Sequence, residues 1–261
     1  MNSPAAPPSA ALGKDAVIVI DSKGPVFARA CIDGIASRTD RRIDVLINTH
    51  HHGDHTGGNP EFGREAVIVA HANVRKRLMT PQTMLGRTSQ PLPKEGWPVI
   101  TFDESLAIHF NGEEIRIIHM PHGHTDGDSV IFFTESNVVH MGDDFFAGRF
   151  PFVDIRSGGS VQGLTRNIAK VIKQVSSDTK IIPGHGSLST VDDLKAYHQM
   201  LIETTQHVQR AMKSNKTLDE IKAEGFPSKW DEWGSGFISA QRWIESIYNS
   251  LSKPPQSGAT P

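Results

Sequence analysis

The sequence predicts a layered domain in which β-strands and α-helices are mixed throughout. Short apolar runs that are typical of buried strands recur between residues 16 and 184, and helical patterns lie between and after them. The chain has 261 residues, of which 37% are hydrophobic and 21% are charged, so it can bury one substantial core. We therefore expect one domain over residues 15–252, with a flexible Pro/Ala-rich tail at 1–14 and another flexible tail at 253–261.

The first half of the chain alternates strand and helix patterns before it reaches a long irregular segment. Its predicted elements are strands at 16–21, 43–49 and 65–71 and helices at 26–38 and 72–79. Residues 80–98 contain four prolines and two glycines, which predicts a long loop.

The second half begins with strands and ends in helices. The pair Asn111-Gly112 is a strong hairpin signal between two strand patterns. The predicted elements are strands at 106–110, 113–120, 128–134, 137–142 and 179–184 and helices at 160–175, 190–213, 217–224 and 236–251.

Composition and charge narrow the range of partners. The net charge of −2 lacks the basic excess that a nucleic-acid-binding protein normally carries. The sequence has no apolar run long enough to span a bilayer, and its start lacks the pattern of a secretory signal. A single cysteine, Cys31, fits a reducing compartment. We expect a cytoplasmic protein that acts on a small molecule and binds neither nucleic acid nor a membrane.

The segment NTHHHGDHTGGN, residues 48–59, contains four histidines and one aspartate within six consecutive positions. It follows directly on the strand predicted at 43–49. Along an extended backbone His50 and His52 share one face, and His51 points elsewhere. Imidazoles and a carboxylate that converge at the end of a buried strand are costly unless they are paired, and they are ligand types that metals prefer. The segment therefore predicts a metal site.

Three downstream segments place further ligand types directly after predicted strands. Because ligands of open sheets gather at strand ends, we expect these side chains to converge on the histidine cluster. The candidates are His122 and His124 in PHGHTDGDS, Asp143 and Asp144 in HMGDDFF, and His185 in IIPGHGS.

Taken together, these motifs resemble those of the metallo-β-lactamase superfamily. The resemblance covers about residues 17–188 and rests on H-x-H-x-D-H at 50–55, GHTDGDS at 123–129, GDDFF at 142–146 and PGHG at 183–186. It implies a four-layer αββα sandwich with a binuclear site for two Zn²⁺ ions at one edge, where Fe or Mn are alternatives. It assigns His50, His52 and His124 to the first metal, Asp54, His55 and His185 to the second, and Asp143 to a bridge between them.

The resemblance also gives expectations for neighbouring residues. Asp21 matches a position that holds the metal-bearing loop, and Asp144 is expected to be a helper near the site or a loop carboxylate. His51 is expected to be a spacer whose side chain faces away, and His122 to lie beside the site or on the surface. Family members carry extra strands before the one that matches 16–21, so we expect the first sheet to lack an edge hairpin.

The implied chemistry is hydrolysis by a metal-bound hydroxide, with Asp54 as the catalytic residue that ligates a metal and orients the nucleophile. Our first hypothesis is an amide or ester substrate with a β-lactam-like or lactone-like ring. A glyoxalase II-like thioesterase is an alternative, although GHGSL stands at 184–188 where those enzymes typically have GHEYT. An iron-containing redox or oxygenase member of the fold is another alternative. We expect Arg149 or Arg156 to bind a substrate carboxylate.

Overall fold

Two five-stranded sheets lie between two layers of helices in the computed structural model, which describes residues 9–84 and 86–252. The elements are β1 (Ser9–Leu12), β2 (Val17–Ile20), α1 (Pro25–Ala36), β3 (Val45–Ile47), α2 (Gly53–Thr56), α3 (Asn59–Phe62), β4 (Val67–His71), α4 (Ala72–Leu78), β5 (Gln82–Met84), β6 (Arg87–Ser89), β7 (Ile100–Phe102), β8 (Ser105–Phe110), β9 (Glu113–His119), β10 (Ser129–Phe133), β11 (Val138–His140), α5 (Val161–Ile172), β12 (Lys180–Ile182), α6 (Val191–Lys213), α7 (Leu218–Glu224) and α8 (Ala240–Ser252).

The first sheet has the strand order β1-β2-β3-β4-β7. Strands β2, β3, β4 and β7 are parallel, so their carboxyl ends meet at one edge. All four side chains of β2 are buried because both faces of the sheet are covered. Ile18 and Ile20 pack toward the second sheet, whereas Val17 and Val19 pack with Ala28 of α1.

The second sheet has the order β12-β11-β10-β9-β8, and only its β11–β12 pair is parallel. Asn111 and Gly112 join β8 to β9, and both have positive φ, 59° and 73°. This is the backbone that a tight two-residue hairpin needs, as the sequence predicted. The outer face of the sheet packs against α5, α6 and α8, with Tyr197 and Trp243 among the largest fully buried side chains. The order helix, sheet, sheet, helix confirms the predicted αββα sandwich.

Two expectations about irregular segments were wrong. Ser9–Leu12, which we assigned to the flexible tail, forms β1 and pairs antiparallel with β2, so the first sheet does have an edge hairpin. Its short Ser-Ala-Ala-Leu sequence lacks the β-branched residues that are typical of a strand. Backbone hydrogen bonds to β2 hold the segment in the strand conformation instead. Within the predicted loop 80–98, β5 and β6 form an exposed hairpin. Residues 1–8 and 253–261 of the predicted tails lie outside the described residues.

Strand β7 was also not predicted, and it completes the first sheet beside β4. In the part of the chain that the structure describes, no helix combines the length and the apolar character needed to cross a bilayer.

Candidate metal centre

Loops at one edge of the two sheets bring seven predicted ligand residues together. His50 and His52 follow β3, and Asp54 and His55 lie in the single turn of α2. The remaining three follow strands of the second sheet: His124 after β9, Asp143 after β11 and His185 after β12. The carboxyl ends of the parallel strands thus place residues that are up to 135 positions apart (His50 to His185) in one cluster.

The first group consists of His50, His52, His124 and Asp143, whose ligand atoms all lie within 4.8 Å of one another. Nδ1 of His52 is 3.1 Å from Nε2 of His50 and 2.8 Å from Nε2 of His124. Oδ2 of Asp143 is 3.8 Å from Nε2 of His50 and 3.5 Å from Nε2 of His124. All four residues are at most 5% exposed, so these atoms face one another away from water.

The second group consists of Asp54, His55 and His185. Oδ2 of Asp54 is 3.5 Å from Nε2 of His55 and 3.4 Å from Nε2 of His185. Asp143 reaches this group as well, because its Oδ1 is 3.1 Å from His55 Nε2 and its Oδ2 is 3.3 Å from His185 Nε2. The carboxylate of Asp143 therefore lies between the two groups.

The donor set fits metal ions, as unsatisfied atoms in the cluster indicate. Nε2 of His55 and Oδ1 of Asp143 are both buried and form no hydrogen bond, although they lie only 3.1 Å apart. Buried polar atoms without partners are costly in a native protein. Cations at this position would satisfy both atoms, and imidazole with carboxylate is a ligand set that suits Zn²⁺.

A close backbone approach keeps Asp143 in place. A Cβ atom on Gly184 would lie 2.0 Å from Oδ1 of Asp143, so only glycine fits one residue before His185. Gly142 has φ +51°, and a Cβ atom there would lie 2.7 Å from Cβ of Thr49. The glycines beside these ligands therefore allow three loops to meet at one point.

The histidines are oriented by hydrogen bonds from their other ring nitrogens. Oδ2 of Asp21 accepts from Nδ1 of His55 at 2.8 Å, and Asp21 also accepts from the backbone N–H and the hydroxyl of Thr49. Asp21 thus ties the metal-bearing loop to β2, which supports its expected holding role. Nδ1 of His124 donates to the backbone oxygen of Phe152 at 2.7 Å.

Sequence reasoning missed two residues at the site. Oδ2 of Asp154 lies 3.1 Å from Nε2 of His52, and Oδ1 of Asp154 accepts from two backbone N–H groups. Lys23 is a cation that is only 7% exposed, and burial lowers its pKa although Asp21, Asp143 and Asp54 counteract this effect. Asp154 belongs to no motif and follows no strand, whereas Lys23 follows β2 and precedes Gly24 but is not a residue type that ligates metals, so the search for ligand types at strand ends marked neither residue.

The two groups differ in electrostatics. Burial, reinforced by the neighbouring imidazoles, lowers the pKa of His50 well below its usual value. Burial also opposes protonation of His185, but Asp143 and Asp54 outweigh it and raise its pKa to about 9. Burial would raise the pKa of Asp143, yet the surrounding histidines, His55 first, hold it well below its ordinary range. His185 would therefore have to lose a proton in order to hold a metal ion at neutral pH.

Three residues that the sequence places near the metal ligands, His51, Asp144 and His122, lie outside the two groups. His51 contributes to neither of the two groups; its ring lies 4.5 Å from that of His52, and its Nε2 is 3.5 Å from the hydroxyl of Ser157. Asp144 is buried and accepts from the backbone N–H of His124, which makes it a support for that loop. His122 is half-buried and donates from Nδ1 to the backbone oxygen of Gly158.

The two candidate arginines lie on the segment after Asp143. Arg149 is half-buried, and a Cβ atom on Gly236 would lie 3.4 Å from its Cδ. Arg156 is exposed. The aromatic rings nearest to the ligands belong to Phe146, which stacks on His185 with centroids 5.0 Å apart, and Phe152, which lies 5.8 Å from the rings of His52 and His124.

The fold and the clustered His and Asp residues define a metallo-hydrolase. The chain belongs to the metallo-β-lactamase superfamily, whose family model matches residues 9–195.

Curated relatives from bacteria and archaea are similar in sequence. A hydroxyacylglutathione hydrolase of Gloeobacter violaceus is 26% identical over 222 residues, which cover 81% of this chain and 78% of the relative. A probable metallo-hydrolase of Methanocaldococcus jannaschii is 29% identical over 156 residues, which cover 56% of this chain and 71% of the relative.

Solved structures share the fold at low sequence identity. A metallo-β-lactamase from Pontibacter korlensis has a TM-score of 0.62 at 16% identity and covers 74% of this chain and 85% of its own. A sec-alkylsulfatase from Pseudomonas sp. has a TM-score of 0.68 at 14% identity, over 98% of this chain and 50% of its own.

Proposed function

We propose that the protein is a binuclear zinc-dependent hydrolase that cleaves an amide or ester bond of a β-lactam-like or lactone-like substrate. The observation that carries this proposal is the position of Asp143. Its carboxylate lies 3.5 Å from His124 in the first group and 3.3 Å from His185 in the second. One carboxylate that serves both groups offsets the charge of two cations, which supports a binuclear site over a single ion.

The ligand roles in this proposal follow the two groups. His50, His52 and His124 would hold one ion, Asp54, His55 and His185 the other, and Asp143 both. When bound, two zinc ions supply a hydroxide at neutral pH and polarise a carbonyl oxygen.

Asp54 is the ligand residue of this chain that is best placed to orient a water molecule. Its side chain is 47% exposed, whereas the side chains of the other ligands are at most 12% exposed, so it lies where substrate and water enter. Burial raises its pKa, but the positive charge of His55 and a hydrogen bond from His185 outweigh this and hold the pKa below its usual value. Asp54 is therefore an anion at neutral pH, as a carboxylate that ligates a metal and orients a water molecule needs to be.

The protein environment restricts water on the other sides of the cluster. His50 and His124 are at most 1% exposed, and Phe146 and Phe152 cover the histidine rings. Fixed charges in such a site interact more strongly than in bulk water.

A thioesterase that cleaves glutathione thioesters is the second candidate. The observation in its favour is the hydroxyacylglutathione hydrolase of Gloeobacter violaceus, which matches over 81% of this chain. The segment GHGSL at 184–188 counts against it, since Gly186 and Ser187 stand where such enzymes typically have glutamate and tyrosine.

A hydrolysis panel tests both candidates. The zinc-loaded protein is assayed with β-lactams, lactones, acyl-glutathione thioesters and phosphodiesters, with Asp143→Ala as the inactive variant and Asp192→Ala as a control at an 88% exposed side chain on α6. Turnover of a lactam or lactone that is lost only in Asp143→Ala supports the first candidate. Preferred turnover of thioesters favours the second.

Metal analysis and visible absorption of the same preparation address the metal. An iron content near two per chain with a visible absorption band would contradict the zinc proposal and favour the redox alternative.

A further inference from the structure

A further cluster of potential metal ligands lies beside the first group. It consists of His51, His52 and Asp154, whose ligand atoms all lie within 4.8 Å of one another. All three residues are buried, and His51 and Asp154 belong to neither of the two groups described above. This edge of the sheets therefore holds more ligand types than the two groups use.

His51 lacks the hydrogen bonds that a buried imidazole normally forms. Among the described residues its Nδ1 has no partner, and the hydrogen-bond contact of its Nε2 is the hydroxyl of Ser157 at 3.5 Å. Hydrogen bonds of this kind are normally about 2.7–3.2 Å long, so the contact with Ser157 is weak. The side chain is only 5% exposed, which leaves little room for water to replace the missing partners. A buried imidazole with so little pairing indicates a partner that the chain itself does not supply.

The contact between His52 and Asp154 has a length that a shared metal ion requires. Nε2 of His52 lies 3.1 Å from Oδ2 of Asp154. Zn–N and Zn–O bonds of about 2.0–2.2 Å place neighbouring ligand atoms about 3.0–3.5 Å apart. An ion at this position takes the place of the hydrogen on Nε2 and holds the ring in the same orientation.

The carboxylate of Asp154 is oriented before any ion binds. Its Oδ1 accepts from the backbone N–H groups of Arg156 and Ser157, which leaves Oδ2 directed at His52. Asp154 also supplies a negative charge that neither of the two groups uses. The positive charge of Arg77 acts on His51, but this guanidinium is paired with Asp126 through hydrogen bonds of 2.8 and 2.7 Å.

We propose that His51, His52 and Asp154 form a third metal site, which binds a divalent transition-metal ion such as Zn²⁺. Two imidazoles and one carboxylate are a ligand set that suits zinc. His52 would link this ion, at its Nε2, to the first group, which its Nδ1 faces. Because two cations share one imidazole, the third ion binds more weakly than the other two. This inference does not depend on which bond the protein cleaves.

The test counts metal ions as a function of free zinc concentration. Zinc-loaded protein is dialysed to equilibrium against buffers of increasing free zinc, and its metal content is measured. We expect a plateau near two ions per chain and then a rise to about three. His51→Asn should stop at about two, because His51 belongs to neither of the other groups. Retention of those two ions also shows that this variant is folded.

Cobalt gives a second readout that reports on the third site alone. Co²⁺ is added to protein that already holds its two tighter zinc ions, and the visible absorption is recorded. A band should appear in the wild-type protein, because Co²⁺ binds the same nitrogen and oxygen ligands as zinc. The same addition to His51→Asn should give no band.

His109→Asn is the matched control, because His109 is an exposed histidine on β8 that lies in none of the three clusters. It should still bind the third ion. A wild-type protein that binds no ion beyond the second would overturn the proposal. So would a third ion that His51→Asn keeps, or one that His109→Asn loses, since surface histidines would then hold it. Loss of all ions in His51→Asn would show that His51 supports the whole cluster instead of a separate site.

The proposed binuclear hydrolase can fail independently of this inference. If the protein held a single ion that His51→Asn lost and Asp143→Ala kept, the binuclear site would be refuted and the site at His51 supported. If it held two ions that Asp143→Ala lost and bound no third ion at any zinc concentration, the outcome would be the reverse.

Discussion

Nε2 of His52 lies 3.1 Å from Oδ2 of Asp154, a carboxylate 102 residues further along the chain. The carboxylate can only accept, so Nε2 carries the hydrogen and Nδ1 keeps its lone pair toward His50 and His124. The second oxygen of Asp154 accepts from the backbone N–H groups of Arg156 and Ser157, which fixes the carboxylate. Asp154 therefore sets both the tautomer and the orientation of one proposed ligand.

Asp154→Asn should weaken the first metal group. The amide has only one acceptor oxygen, so it cannot accept both from His52 and from the backbone N–H groups of Arg156 and Ser157. Loss of such a partner typically lowers metal affinity about 10- to 100-fold. Competition with a chromophoric zinc chelator measures the affinity. Asp126→Asn is the control, since Asp126 lies in the neighbouring loop but pairs with Arg77 and with no ligand histidine. If both variants lost the same zinc affinity, the packing of these loops, rather than the contact between Asp154 and His52, would determine zinc binding.

Asp143→Ala should remove both metal ions and nearly abolish hydrolysis. The reason is that Asp143 is, among the residues that the structure describes, the one carboxylate within 3.8 Å of ligand atoms in both groups. Asp144→Asn is the matched control on the adjacent position. Burial and the nearby carboxylate of Asp128 raise the pKa of Asp144 well above its usual range, which favours the neutral carboxyl group, and asparagine has the same shape and no charge. Metal analysis after extensive dialysis should give about two ions per chain in Asp144→Asn. If Asp144→Asn lost both ions and Asp143→Ala kept them, Asp144 rather than Asp143 would be the carboxylate that serves both groups.

His185→Ala should empty mainly the second group. His185 contacts Asp54 and Asp143 but no ligand histidine of the first group, which keeps three imidazoles and one carboxylate. We expect metal content to fall from about two ions to about one. His122→Asn is the comparison, because asparagine tolerates the positive φ of 53° at this position and His122 lies in neither group. Loss of both ions in His185→Ala would indicate that the two groups bind metal only together.

The positions of the seven ligand candidates could be anticipated because each has a local signal. Asp143 and His185, for example, follow apolar strands and have Gly142 and Gly184 next to them. Ligands gather at the carboxyl ends of strands, and the motif resemblance assigns the ligands to the same edge of the sheets. The sandwich could be anticipated for the same reason, since strand and helix periods are local properties of the sequence. Whether these residues bind metal stays a prediction.

Asp154 and β1 could not be anticipated because each depends on a pairing that the local pattern of side chains does not report. The role of Asp154 depends on a contact with His52, 102 residues away, and not on its neighbours in sequence. Ser9–Leu12 becomes a strand by backbone pairing with Val17–Ile20, which side-chain patterns do not report.

Arg149→Ala and Arg156→Ala test recognition of a substrate carboxylate. We expect at least one of them to raise KM about tenfold or more with little change in kcat, because a charge-assisted hydrogen bond made equally in substrate and transition state affects binding alone. The substrate is a carboxylate-bearing lactam or lactone, and its methyl ester serves as the control because it lacks the charge. Unchanged KM in both variants on the charged substrate would contradict this role.

A pair of stacked imidazoles outside the metal groups makes stability depend on pH. The rings of His71 and His119 lie 3.8 Å apart and nearly parallel, and His71 is only 5% exposed. Nδ1 of His71 accepts from the backbone N–H of Asn73 at the start of α4, and its Nε2 donates to the backbone oxygen of Asp103. The neutral ring therefore satisfies both contacts. Burial, with His119 beside it, lowers the pKa of His71 to about 4.

His71→Asn should reduce the loss of stability that acid causes. The unfolded chain protonates His71 below pH 6.5, whereas the folded protein does so only near pH 4. Folding therefore loses free energy as the pH falls from about 6.5 to 4, by about 2 kcal/mol at pH 5 for this residue. Asparagine keeps a side chain that can cap α4 and does not titrate. Urea unfolding with a chelator present, at pH 7 and pH 5, should show a smaller difference between the two pH values in His71→Asn than in the wild-type protein. Because the chelator removes metal from both proteins, protonation of the ligand histidines contributes equally and cancels in the comparison. An equal difference in both proteins would show that His71 titrates alike in the folded and unfolded chains.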